Sequence, residues 1–145
     1  MNCLLDTHAL LWTLFDPDRL GKKAADCIRN PDVTVAVSVV TFGEISLKYA
    51  TGKLQLDNVI PDDFPEVVRQ SGFSILQLAN TEAATFHRLP RTRHKDPFDR
   101  LIIWQSISRK LTLISQDRAF VDYKKLGLKV ILKVSSKPIN AAVPP

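Results

Sequence analysis

Residues 33–50 read VTVAVSVVTFGEISLKYA, and this stretch decides the fold class of the chain. Its first five residues are mostly apolar and β-branched without strict alternation, which is typical of a strand covered on both faces of a sheet. Residues 38–50 follow as a helix, which ends at Thr51 and Gly52. A buried strand that leads directly into a helix predicts a parallel sheet with helices packed on its faces.

The same alternation continues on both sides of this stretch. Strands are predicted at residues 2–5, 33–37, 73–78, 111–114 and 128–132. Helices are predicted at residues 9–15, 20–28, 38–50, 61–70, 81–89, 97–110 and 118–126. We therefore expect an α/β fold, a three-layer α/β/α sandwich around a central parallel sheet of about five strands. One domain should cover residues 1–133, followed by a proline-containing C-terminal tail over residues 134–145.

Composition excludes several classes of protein. Of the 145 residues 45% are hydrophobic and 24% are charged, which is too apolar for a disordered chain. The chain has only two cysteines, so a disulfide scaffold is excluded and a cytoplasmic location is expected. No apolar run is long enough to span a membrane. The apolar N-terminal residues 3–15 are interrupted by Asp6 and His8, which argues against a signal peptide.

Acidic residues follow the strand ends. Asp6 comes directly after the first strand, Glu44 lies in the helix after the second, and Asp117 follows the fourth. Asp99 lies in the first turn of the helix that leads into the fourth strand. Because parallel strands end at one edge of a sheet, these four carboxylates should converge there. A divalent cation would relieve their repulsion, all-oxygen ligands favour Mg²⁺ or Mn²⁺, and such a site supports hydrolysis of a phosphodiester.

Each acid also has a purely structural interpretation. Asp6 could simply form the turn after the first strand, and Asp117 could cap the helix that follows it. Asp96 precedes Pro97, the arrangement of a helix N-cap followed by proline at the first helical position, and a capping role is favoured for it. Asp99, three positions after Asp96, then remains the better candidate for the site.

Glu44 lies three residues after Thr41, so the two could form a capping box. Alternatively, Ser38 caps a helix that starts at residue 39, and Glu44 then points toward the strand ends.

Four segments together resemble the PIN domains, and among them the VapC-type toxins of bacterial toxin–antitoxin pairs. They are LLDTHALLW (4–12), VSVVTFGEISLKYATGKL (37–54), LPRTRHKDPFDRLIIWQSI (89–107) and LTLISQDRAF (111–120). The resemblance implies an α/β/α sandwich and a Mg²⁺- or Mn²⁺-dependent endoribonuclease. It places the catalytic acids at Asp6, Glu44, Asp99 and Asp117, with the metal on Asp6, Asp99 and Asp117. Thr7, Asp96 and Ser115 stand beside these acids as supporting residues.

The charge balance agrees with an RNA substrate. The net charge is +5, and outside the four site acids only eleven acidic residues oppose twenty basic ones. A basic surround can hold the phosphates while an acidic pocket holds the metal. The candidate RNA-binding residues, which could equally be solvated surface charges, are Lys48, Lys53, Arg93, His94 and Lys95.

The resemblance also implies a small antitoxin protein and a homodimer, and no membrane association. Two alternatives remain within the family: a nuclease of RNA processing that is not a toxin, and a catalytically inactive PIN-type binding module. Outside it, a dehalogenase-like phosphatase would need a second aspartate two residues after Asp6, where His8 stands. A receiver-like signalling domain would need an aspartate after the third strand, where Asn80 stands.

Overall fold

The computed structural model describes residues 2–91 and 95–132. The predicted tail over residues 134–145 and the candidate RNA-binding residues Arg93 and His94 lie outside the described residues.

Five parallel strands form one sheet, as the sequence predicts. In chain order they are β1 (Asn2–Leu5), β2 (Thr34–Ser38), β3 (Ser74–Leu76), β4 (Thr112–Ser115) and β5 (Lys129–Leu132). Their spatial order is β3-β2-β1-β4-β5, so β1 lies at the centre and pairs with β2 on one side and β4 on the other. Leu4 is in register with Ala36 of β2 and Leu113 of β4. Any residue that directly follows β1 therefore lies at the middle of the sheet edge.

Helices connect the strands. The α-helices are α1 (Thr7–Phe15), α2 (Lys22–Arg29), α3 (Val39–Ala50), α4 (Phe64–Gln70), α5 (Asn80–Thr85) and α6 (Pro97–Arg109). Short 3₁₀ helices lie at Pro17–Arg19, Pro61–Asp63, Phe86–Arg88 and Arg118–Leu126. The helix predicted over residues 81–89 is shorter and ends in a 3₁₀ turn, because Pro90 favours extended backbone at Leu89.

Two hydrophobic clusters cover the two faces of the sheet, which makes the fold the predicted three-layer sandwich. Cys3 and Leu5 of β1 pack into one cluster with residues of α1, α2 and α4. Leu4 points to the opposite face, into a cluster with residues of α6 and Arg118–Leu126. Because successive side chains of a strand alternate between faces, fully apolar strands need helices on both sides. Within the residues that the structure describes, no helix is long and apolar enough to cross a membrane.

A buried polar network joins α5, α6 and β2 beside the second cluster. Gln105 of α6 is fully buried, and its Oε1 accepts a hydrogen bond of 2.6 Å from the Ser38 hydroxyl. One turn further along α6, Arg109 donates two hydrogen bonds of 2.7 Å to the carboxylate of Glu82. These bonds to Arg109 hold the pKa of the Glu82 carboxyl below its ordinary value, although burial opposes the shift. The pair therefore stabilises the fold while Glu82 is ionised.

Replacing Glu82 with Gln should lower the free energy of unfolding at pH 7 by about 1–3 kcal/mol, because Arg109 loses a charge-assisted partner. A depressed folded-state pKa stabilises above the unfolded-state pKa, and that stability is lost as the pH falls through the folded-state pKa. The difference between the wild type and Glu82→Gln should therefore shrink below about pH 4.5. Urea unfolding across pH 3–8 measures it. The exposed Glu66–Arg69 pair supplies the control, since Glu66→Gln should change stability by less than about 1 kcal/mol. A wild-type advantage that stays constant down to pH 3 would contradict this account of the pair.

Candidate active site

The carboxyl ends of β1, β2 and β4 and the beginnings of the helices that adjoin them meet at one edge of the sheet. Asp6 follows β1 directly, and its backbone N–H donates to the carbonyl of Ile114 in β4 over 3.1 Å. Ser115 ends β4 and Asp117 follows two residues later. Asp6 and Asp117 therefore lie just after the ends of their strands, as the sequence predicts.

Asp6 is the most buried of the aspartates at this edge, with 4% of its surface exposed. It is the N-cap of α1, and its Oδ1 accepts the N–H of Ala9 over 2.7 Å. Burial raises the pKa of Asp6 to about 6, and the negative charge of Asp99 adds to the rise. The charge of His8, a hydrogen bond with Ser115 and the bond from Ala9 act in the opposite direction. Asp6 is thus a desolvated carboxyl whose pKa is also raised by the charge of a second acid, Asp99.

Glu44 lies one and a half turns into α3 and is 1% exposed. Its Oε1 accepts the hydroxyl of Thr7 over 2.6 Å, and its Oε2 accepts the ammonium of Lys48. Ser38 caps α3 by accepting the N–H of Val40 over 3.1 Å, so the capping box of Thr41 and Glu44 is not formed. Glu44 therefore has no capping role, and its hydrogen bond with Thr7 connects it to the residue that directly follows Asp6.

The capping role that the sequence favours for Asp96 is present at the beginning of α6. Asp96 is the N-cap of α6, and its Oδ1 accepts the N–H groups of Phe98 at 2.8 Å and Asp99 at 3.3 Å. Asp99 is half-buried in the first turn of α6, close enough to Asp6 for its charge to raise the pKa of Asp6. The two capping bonds therefore engage one carboxylate oxygen of Asp96. The charge of Asp99 instead acts on the carboxyl of Asp6 at the middle of the edge.

Ser115 links the two acids that flank it. Its hydroxyl interacts with the carboxyl of Asp6 and accepts the N–H of Asp117 over 3.0 Å. Asp117 is half-buried and caps Arg118–Leu126, since its Oδ1 accepts the N–H of Ala119 over 2.9 Å. The capping interpretation of Asp117 is thus correct. While it caps this helix, Asp117 still lies at the same edge of the sheet as Asp6.

These acids lie along the edge of the sheet, but their side chains are not gathered around one point where a metal ion could bind. In residues 2–91 and 95–132, no three Asp, Glu, His or Cys side chains are arranged to hold a metal ion. Lys48 and Thr7 occupy both oxygens of Glu44, and backbone N–H groups engage one oxygen each of Asp6, Asp96 and Asp117. The donor chemistry nevertheless suits a hard cation, because all of the donors are oxygen and Asp6 and Asp99 repel each other in a partly desolvated place.

The candidate RNA-binding lysines separate into two groups. Lys53 and Lys95 are exposed. Lys48 instead lies inside the acidic edge as the partner of Glu44. The contact of Lys48 with Glu44 was missed from the sequence, although the spacing of four residues on a helix is the signal that could have revealed it.

Comparisons with known proteins bear on the fold and on the family of the chain. Residues 3–126 match the PIN domain family. Ribonuclease VapC22 of Mycobacterium tuberculosis is 31% identical over 120 residues, which cover 79% of this chain and 86% of that protein. The structure of VapBC-1 from nontypeable Haemophilus influenzae has a TM-score of 0.65 at 15% identity, covering 91% of this chain and 98% of the other.

A further structure of similar fold is VapBC-5 from Mycobacterium tuberculosis, a member of the VapBC family of toxin–antitoxin systems. Its TM-score is 0.53 at 21% identity, and the match covers 92% of this chain and 98% of the other. At such identities these two structures establish the α/β/α fold, while the family rests on the sequence matches.

The two hydrogen bonds that Asp96 accepts predict the stability of its variants. Asp96→Ala should lower the free energy of unfolding by about 0.5–2 kcal/mol, because α6 loses its N-cap. Asp96→Ser keeps a capping oxygen and should remain within about 0.5 kcal/mol of the wild type. Urea unfolding of the two variants side by side measures the difference. Equal stability of the Ala and Ser variants would show that the capping bonds contribute nothing.

Proposed function

This chain belongs to the PIN domain family, and on that premise we propose that it is a metal-dependent endoribonuclease that acts as the toxin of a toxin–antitoxin pair. The observation that carries the proposal is the buried carboxyl of Asp6 at the end of the central strand, with its pKa raised to about 6 and Asp99 beside it. Carboxyls whose pKa is raised by burial beside a second acid cluster at functional sites. The identity with ribonuclease VapC22 supports RNA as the substrate.

Each acid has a distinct part in the proposed reaction. Asp6, Asp99 and Asp117 would hold Mg²⁺ or Mn²⁺, and a bound ion supplies charge neutralisation and an activated water for attack on a phosphodiester. Ser115 links the carboxyl of Asp6 to the backbone of Asp117 through its two hydrogen bonds. Thr7 orients Glu44, the fourth catalytic acid, toward the same edge.

Basic residues would hold the RNA backbone. Lys53 and Lys95 are exposed and carry the ammonium groups that phosphates attract, and we assign the same role to Arg93 and His94. The overall net charge of +5 favours approach of a polyanion.

We also propose two protein partners. One is a small antitoxin, supported by the similarity in fold to VapBC-5, which belongs to a family of toxin–antitoxin systems. The other is a second copy of this chain, for which large apolar side chains lie exposed on and beside α3. These are Leu47, Tyr49 and Ile60, with 51%, 42% and 46% of their surfaces exposed.

Asp6→Asn should abolish RNA cleavage while the protein stays folded, because asparagine keeps the oxygen that caps α1 and removes the charge. Asp99→Asn should do the same, and Asp96→Ser should retain most of the activity. We expect a loss of at least about 100-fold for Asp6→Asn and for Asp99→Asn. The measurement is the rate at which purified protein cleaves single-stranded RNA with Mg²⁺ or Mn²⁺, with circular dichroism as the check of folding.

Asp32→Asn is the matched control. Asp32 is exposed and precedes β2, so it lies at the opposite edge of the sheet, and the same change of charge there should leave cleavage unchanged. Cleavage that persists in excess EDTA, or an Asp6→Asn variant as active as Asp32→Asn, would exclude the proposed chemistry.

The toxin role predicts a growth phenotype. Expression of the wild-type chain in a bacterial host should arrest growth, and co-expression of the small protein encoded by the adjacent reading frame should restore it. The physical reason is that a bound partner would cover the site or the surface that RNA needs. Colony counts after induction measure the effect, with Asp6→Asn as the non-toxic control. Arrest by Asp6→Asn equal to that by the wild type would mean that cleavage is not its cause.

A further inference from the structure

We propose that the ammonium group of Lys48 is the resident cation of the acidic site, which neutralises the site in the metal-free protein and competes with the divalent ion for it. This inference rests on the metal dependence proposed above. It assigns to Lys48 a role toward the metal and not only toward RNA.

The contact between Lys48 and Glu44 differs from an ordinary pair on a helix surface. Glu44 and Lys48 are four residues apart on α3, the spacing at which side chains of one helix meet. The side chain of Glu44 is only 2% exposed, and that of Lys48 is 32% exposed. The other oxygen of Glu44 is held by Thr7 at 2.6 Å, so the carboxylate is fixed on both sides. Burial makes the charge of Glu44 costly unless a cation stays beside it, and Lys48 is that cation.

Lys48 also interacts with the acids of the neighbouring helix. Partial burial by itself lowers the pKa of Lys48, yet the hydrogen bond to Glu44 and the charges of Glu44, Asp96 and Asp99 raise it above the ordinary value. Lys48 is therefore charged throughout the physiological range. Helix α6 packs against α3, and the two aspartates whose charges act on the Lys48 ammonium lie at the N-terminus of α6. Asp99 thus interacts electrostatically both with Asp6 and with Lys48.

A divalent ion bound to Asp6 and Asp99 would have Lys48 as a neighbour of the same sign. Like charges in a partly desolvated site repel, so binding of the ion requires that the ammonium move away or that the repulsion be overcome. About a third of the Lys48 side chain is exposed, and its four-carbon chain can swing the ammonium into solvent. Removing the positive charge of Lys48 should therefore strengthen metal binding and lower the stability of the metal-free protein.

The test is binding of Mn²⁺ to the full chain, without RNA, measured by isothermal titration calorimetry and by loss of the free-Mn²⁺ signal in electron paramagnetic resonance. Lys48→Met should bind Mn²⁺ about tenfold more tightly than the wild type, the scale expected for removing one nearby like charge. Lys48→Gln removes the charge but keeps a hydrogen-bond donor to Glu44, and it should show the same gain. Lys48→Arg keeps the charge and should remain within about threefold of the wild type.

Lys129→Met is the matched control, because Lys129 is exposed, begins β5 at the opposite edge of the sheet, and gives the variant the same net charge as Lys48→Met. Its affinity for Mn²⁺ should equal that of the wild type. Thermal unfolding supplies a second measurement: without metal the two neutral variants should melt below the wild type, and saturating Mn²⁺ should raise their melting temperatures by more. If Lys48→Met fails to fold, Lys48→Gln, which preserves the bond to Glu44, provides the same comparison.

The outcomes separate this inference from the function on which it rests. Mn²⁺ binding by the wild type with no gain, or with a loss, in both neutral variants overturns the role of Lys48 and leaves the metal site intact. A gain in Lys129→Met equal to that in Lys48→Met also overturns it, because overall charge would then explain the effect. No Mn²⁺ binding by any variant overturns both the metal site and the inference. Tighter binding confined to Lys48→Met and Lys48→Gln supports it.

Discussion

The parallel pairing of β1 with strands on both sides is the constraint on which the rest of the molecule depends. It requires that β2 and β4 run in the same direction as β1, so that all three end at one edge. It also requires a helical return after each strand, which covers both faces of the sheet. Asp6 follows the central strand directly. It is therefore buried between the ends of β2 and β4, the two strands that pair with β1.

Helix capping and the acidic site are parts of one arrangement. Asp6, Asp96 and Asp117 each accept backbone N–H groups at the beginning of a helical segment. The N-terminus of a helix carries partial positive charge, which favours ionised carboxylates beside it. The fold therefore gathers acids at an edge where the helix ends partly offset their repulsion. That offset is incomplete at Asp6, whose pKa still rises to about 6 because the carboxyl is buried.

Much of this could be predicted from the sequence because it is local. Continuous apolar strands, the N-cap at Asp96 and the end of α3 before Thr51 depend on neighbouring residues, and each is present in the structure. The position of Ser115 between Asp6 and Asp117, and the network of Gln105, depend on how distant segments pack. The contact of Lys48 with Glu44 is local in spacing, but its importance comes from burial, which α1 and α6 provide. For that reason the sequence predicted the acids and missed the lysine that neutralises one of them.

Asp6 brings folding and chemistry into conflict at a single position. Helix α1 needs only a side-chain oxygen from this residue, and an amide would supply that oxygen without the cost of a desolvated charge. The aspartate is therefore tolerated by the fold rather than demanded by it. The desolvated charge is thus a cost that capping does not require, and only a use of the charge itself would account for it.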